Sequence, residues 1–243
     1  MPYRFLDADD AAQHLHLSRA DLDRLVKDQE VPFETRGKRT VFRQRDLDAW
    51  ASRRLLEARA GRPAGDWQRT CALSQGVALL PDLIRPEQID PALKAKTKAS
   101  VLRDLVMLAA RTGWVCDPVE LITSLEAREA LCSTAVPGGV AFLHPRTQQP
   151  DRFTASFLAL GRTVQPIHFS APDSQPTDLF FLLACQEDRL HLHILARLCL
   201  MAQKTDLLAQ LRTAPDAPTM HAALLAAEQA VLARAAPVRV SAR

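Results

Sequence analysis

No apolar run in this chain of 243 residues approaches the roughly 20 residues needed to span a bilayer. The N-terminus is acidic and polar, where a secretory signal would place a basic start ahead of an apolar stretch. A cytoplasmic protein without a membrane partner is therefore expected. Paired cysteines are also missing. Cys71, Cys116, Cys132, Cys185 and Cys199 are odd in number, scattered and without a C-x-x-C spacing, which argues against a disulfide framework and against a zinc site. Neither a metal nor a cofactor is expected. Charge of one sign is scarce, since 31 basic against 28 acidic side chains leave a net +3. That balance excludes a protein that coats nucleic acid along its whole length, and leaves room for one local basic patch. No repeat of fixed period is present, and the Ala-rich stretch Ala222 to Ala236 reads as helix, not linker.

What is present is an ordinary globular composition, 47% hydrophobic and 24% charged, in a chain long enough for two modest domains. Residues 1–55 carry short helix signals and then a basic turn. Residues 56–75 mix Ala, Arg, Gly and Pro without periodicity, as a linker does. Residues 76–236 alternate amphipathic segments with short apolar runs, the pattern of helices around a sheet, and 237–243 form a tail. The expected fold class is α/β: a small winged helix-turn-helix followed by a mixed β-sheet flanked by helices.

In the first module, Ser18-Arg19-Ala20-Asp21 is a helix start whose serine caps free amides. Leu22, Leu25 and Val26 then recur on one face, with Arg19, Arg24 and Lys27 pointing outward. Asp9 to Leu15 forms a shorter helix before it. The run Phe33 to Arg43 has two β-prone arms around Gly37, a hairpin signal with a cationic tip made by Arg36, Lys38, Arg39 and Arg43. Clustered cations on a protruding loop suit phosphate oxygens. Asp46-Leu47-Asp48-Ala49-Trp50 opens a closing helix anchored by Leu47 and Trp50.

Leu6, Ala11, Ala12, Leu15, Asp46, Leu47 and Trp50, in that order, resemble the excisionase or MerR-like winged helix-turn-helix family over about 50 residues. The resemblance implies that the helix from Ser18 to Lys27 enters the major groove of duplex DNA. So small a module usually reads two half-sites as a homodimer, although the oligomeric state stays open here.

In the second module, Val101, Leu102, Leu105, Val106, Leu108 and Ala109 form a helical stripe that ends before Gly113. Asp117 and Pro118 start a second helix running toward Arg128-Glu129-Ala130-Leu131. Val140 to Leu143, Thr154 to Leu160 and Asp178 to Ala184 read as short buried strands. His144 therefore sits just beyond a strand end, where reactive groups collect in α/β sheets.

Arg128, Glu129, Leu131, Ser133, Thr134, Gly139, Val140, Ala141 and His144 reproduce in order a signature that resembles the enzyme IIA family of fructose, mannitol and nitrogen-regulatory type. Gln175 to Leu183 resembles that family's strand and His191 to Leu198 its "His-Leu-x-x-Leu-Ala-x-Leu" helix, so the resemblance spans about 150 residues. It implies phosphotransfer from a histidine-containing phosphocarrier protein onto His144. Arg128 is the matching cation, His191 a second histidine able to orient His144 or hold a phosphate oxygen, and Ser133 and Thr134 nearby hydroxyls. Three positions depart from the signature: Leu143 replaces Pro, Pro145 replaces Gly and Cys132 stands where Gly is common. Pro145 has no amide hydrogen, so backbone donation to a phosphate from that position is lost.

Both modules together imply a DNA-binding regulator with a phosphorylated sensory domain. A phosphotransferase component that hands its phosphoryl group to a sugar-specific partner, and a scaffold that is never phosphorylated, remain as alternatives.

Overall fold

The computed structural model describes residues 5–15, 17–37, 39–57, 77–145 and 152–235. Lys38, most of the expected linker and the tail 237–243 lie outside them.

The N-terminal unit is built from β1 (Phe5–Leu6), α1 (Ala8–Leu15), α2 (Arg19–Lys27), β2 (Glu34–Arg36), β3 (Arg39–Arg43) and α3 (Gln44–Glu57). Ser18 caps α2 as its sequence requires, with its side-chain oxygen accepting from the Asp21 amide at 3.1 Å. The three strands form an antiparallel sheet in the order β1-β3-β2, and the β2–β3 turn places Gly37 at φ +64°, where a side chain would be strained. Leu15, Leu22, Phe42 and Leu47 are fully buried between helices and sheet. His14 Nε2 lies 2.5 Å from Asp48, tying α1 to α3.

The second unit follows with α4 (Leu80–Leu83), β4 (Ile89–Leu93), α5 (Lys98–Ala110), α6 (Pro118–Glu129), β5 (Ala135–Val136), β6 (Val140–Leu143), β7 (Phe157–Ile167), β8 (Thr177–Ala184), α7 (Asp188–Lys204), α8 (Leu207–Thr213) and α9 (Ala217–Ala235). Its five strands run in the order β4-β7-β8-β6-β5, with β6 parallel to β8 and β7 antiparallel to it. Central strands have two buried faces, and alternate residues divide between them. Val140, Phe142, Leu179 and Phe181 join one apolar cluster, while Ala141, Leu143, Phe180 and Leu182 join the other. Helices α5 and α6 cover the second cluster. Helices α7, α8 and α9 cover the first, and the core of the N-terminal unit, including Trp50 and Ala51, is continuous with it.

Strands β7 and β4 depart from the sequence reading, and β1 and β5 are short strands it did not contain. The expected strand Thr154 to Leu160 is β7, which starts at Phe157 and runs on to Ile167, because pairing with β8 continues through Arg162 and resumes at Ile167, while Thr163 pairs with Leu93 of β4. The strand β4 carries Pro91 and gives no apolar run. Its place at the sheet edge tolerates that missing N–H.

Candidate functional site

Strands β6 and β8 are parallel, so their carboxyl ends share one edge of the sheet. His144 follows β6 directly, and the chain leaving β8 turns into α7, whose first turn carries His191. The two imidazole centroids are 5.0 Å apart. Helix α6, started by the Asp117 side chain accepting from the Glu120 amide and by Pro118 in its first turn, delivers Arg128 to the same point from its last turn. Sequence reasoning thus names three residues that the fold brings together.

The hydrogen bonds fix the chemistry of His144. Its Nδ1 is 2.8 Å from the Phe142 carbonyl, which can only accept, so Nδ1 carries the proton. Its Nε2 accepts from Arg128 Nε at 3.1 Å and therefore presents a lone pair. Burial holds the His144 pKa well below the ordinary value, and the neighbouring His191 and Arg128 push the same way. Burial and then Arg128 lower His191 to about 3. Both rings are neutral at physiological pH.

Arg128 is itself buried. Its Nη1 donates to the Cys132 carbonyl at 3.0 Å and to Cys132 Sγ at 3.4 Å, and no carboxylate pairs with it among the described residues. The adjacent Glu129 is turned away, accepting from Lys98 Nζ at 3.1 Å and from the Thr134 amide and hydroxyl. A guanidinium removed from water without a counter-charge is costly, and an anion at this point would relieve it.

Ser133 and Thr134, suggested as hydroxyl donors to phosphate, face elsewhere. The Ser133 hydroxyl donates to the Phe169 carbonyl at 2.5 Å, and the Thr134 hydroxyl donates to Glu129 at 2.7 Å. Both shape the turn that leads into β5. The turn before β6 depends on Gly139, at φ +73°, where an added Cβ would stand 2.7 Å from Arg212 Nη2. Arg212 also donates to the Gly138 carbonyl at 2.7 Å and pairs with Asp178, locking this turn to β8.

One residue at the site was not foreseen. Ser52 Oγ, from α3 of the N-terminal unit, lies 3.5 Å from His191 Nε2 in a buried contact across 139 positions of chain. No local pattern in the sequence signals so long a reach.

The cations proposed for DNA are differently disposed. Arg19 pairs with Asp9 at 2.7 Å and Asp23 at 3.0 Å, and Arg24 pairs with Asp21 at 3.0 Å. Arg36 stacks 3.7 Å over the Phe5 ring and faces Glu34 at 3.5 Å, while Arg43 also pairs with Glu34. Lys27 and Arg39 are exposed without an ion pair among the described residues. No helix among the described residues is long and apolar enough to cross a membrane.

Comparison with known proteins agrees with this architecture. Residues 5–55 match a helix-turn-helix domain family. A nitrogen regulatory protein of Bradyrhizobium diazoefficiens is 36% identical over 146 residues, covering 59% of this chain and 92% of that protein. One from Pseudomonas aeruginosa is 32% identical over 127 residues, covering 51% of this chain and 80% of that protein. The crystal structure of nitrogen regulatory protein IIA-Ntr from Neisseria meningitidis superposes with a TM-score of 0.56 at 25% identity, covering 60% of this chain and 99% of that one. Residues 82–227 match the family described as "Phosphoenolpyruvate-dependent sugar phosphotransferase system, EIIA 2", and the chain belongs to that family.

Proposed function

We propose that this chain is a DNA-binding regulator whose IIA domain receives a phosphoryl group on His144 from a phosphorylated histidine-containing phosphocarrier protein. The observation that carries this reading is the buried Arg128 guanidinium, without a carboxylate partner among the described residues, donating to the lone pair of a neutral His144. In the reaction the Arg128 N–H shifts from His144 Nε2 to the phosphoryl oxygens, the freed Nε2 lone pair attacks phosphorus, the P–N bond in the carrier breaks and one to His144 forms. The proton stays on Nδ1, which goes on donating to the Phe142 carbonyl throughout. Charge in the loose transition state rests on equatorial oxygens, where a fixed guanidinium gives most help. His191 orients the His144 ring or donates to one of those oxygens. Ser133 and Thr134 hold the turn instead.

The regulatory part rests on the helix-turn-helix match and on relatives named as nitrogen regulatory proteins. Helix α2 is the groove-entering helix of an excisionase- or MerR-like module, with Lys27 and Arg39 as its available phosphate contacts. A cytoplasmic location follows from both partners, DNA and carrier. The rival reading, a phosphotransferase component serving sugar uptake, draws support from the family description itself.

Phosphoenolpyruvate, enzyme I and the phosphocarrier protein should label the wild type and not His144→Ala, and labelling should change duplex binding. Equal label in His144→Ala excludes the assignment. Onward transfer to a sugar-specific enzyme IIB, without any effect on DNA binding, favours the rival.

A further inference from the structure

The N-terminal unit does not stand apart from the candidate site. Helix α3 packs along α7, whose first turn carries His191, and beside β5. Its buried run Trp50, Ala51 and Ser52 divides by face. Ala51 follows Leu47 by one helical turn and belongs to the unit's own core, whereas Ser52 is turned about 100° away and meets His191 at 3.5 Å. Small residues let two helices approach closely, and serine allows that approach here while its hydroxyl reaches the imidazole. His191, the residue Ser52 meets, is 3% exposed, as is His144 beside it, and Ser52 is 4% exposed.

Phosphotransfer between proteins needs the opposite. The donor's phosphorus has to come within about 3–3.5 Å of the attacking nitrogen, in line with the bond that breaks. A second protein cannot meet that requirement at a histidine that is 3% exposed.

We infer that the face of the IIA domain around His144 is a docking surface for α3, and that the helix-turn-helix unit and an incoming phosphocarrier protein compete for it. This rests on the reading that His144 is the phosphoryl acceptor. Docked, α3 excludes the carrier. Undocked, it uncovers Nε2 of His144 together with Arg128, and frees the helix-turn-helix unit from the IIA domain. The rate of labelling then follows the undocked fraction.

The test places a bulky side chain at Ser52 in the full chain, as Ser52→Arg and, without added charge, as Ser52→Trp. Neither change touches Leu47, Phe42 or the sheet that hold the N-terminal unit together. Two readouts are taken with phosphoenolpyruvate, enzyme I and phosphocarrier protein as one probe and diethylpyrocarbonate as the other: the rate of label on His144, and the rate of acylation of His144 and His191. Both variants should acylate and label at least about tenfold faster than wild type. Acylation at the wild-type rate in both variants overturns the docking surface, whatever the label does. Faster acylation with no label on His144 in any protein upholds the docking surface and removes the phosphocarrier reading instead.

Discussion

Acid should weaken this fold through two particular side chains. His144 and His191 are neutral in the folded state because burial and Arg128 oppose a further positive charge. In the unfolded chain the same rings titrate near 6.5. Above that value neither state binds a proton at these sites and they add no pH dependence. Below it the unfolded chain takes protons that the folded chain refuses, so stability falls with pH until the folded value is reached, about 3 for His191. At about pH 5 His191 lowers stability by about 2 kcal/mol, and His144 acts in the same direction. That is a large part of the 5–15 kcal/mol typical of a domain. The assay is urea unfolding at about pH 7.5 and about pH 5 for the wild type, His191→Gln and the double variant His144→Gln/His191→Gln. Glutamine keeps a polar group and cannot titrate. The stability lost between the two pH values should shrink by about 2 kcal/mol in the single variant and further in the double one. Equal losses in all three proteins would refute the argument that these rings are held neutral.

Arg128→Ala removes the donor to His144 Nε2, and should slow labelling by about 10²–10³-fold in a rapid-quench assay; it should also lessen the acid sensitivity, since one cause of both depressed histidines is gone. Lys27→Ala and Arg39→Ala should each weaken duplex binding and reduce the salt slope by about 1, measured by fluorescence anisotropy. Arg24→Ala, whose cation already faces Asp21, should change the slope less, and an equal effect would contradict the pairing. Gly139→Ala forces a side chain into a left-handed backbone and against Arg212, and should cost about 1–3 kcal/mol in thermal unfolding; an unchanged midpoint would show that this turn yields easily.

The parts of the site that lie close in sequence to a structural signal were legible. Asp117 and Pro118 announce the helix that carries Arg128 in its last turn, and the apolar run Val140 to Leu143 announces the strand that His144 follows. His191 was reachable by resemblance, because its strand and helix were recognisable as a block. Periodicity could not find β4, whose Pro91 contradicts a strand by propensity and is tolerated only by its edge position. It also could not separate phosphate donors from turn residues at Ser133 and Thr134, since both roles ask for the same hydroxyls. Nor could it tell that most wing and helix cations are matched by Asp9, Asp21, Asp23 and Glu34, which are close in space but read along the chain as a basic patch.

Ser52 is the sharpest case, because its meaning depends wholly on a contact between the two units. The closed arrangement withdraws water from both histidines and so keeps the Nε2 lone pair of His144 unprotonated at neutral pH, while the same helix bars the protein that would use it. A phosphoryl group adds about −1.5 to −2 charges. Beneath α3 it would meet Arg128, the neutral His191 and one serine hydroxyl, too few partners for a buried dianion whose desolvation costs several kcal/mol. Closure is therefore penalised once His144 carries phosphate. By reciprocity, whatever factor phosphorylation takes from docking, docking takes from phosphorylation. A ligand that favours the undocked helix-turn-helix unit, as duplex DNA does if α3 must leave the IIA domain for α2 to enter a groove, then has to speed labelling of His144. Added operator that slows labelling would place the DNA-competent unit in the docked state and reverse the sign of the coupling.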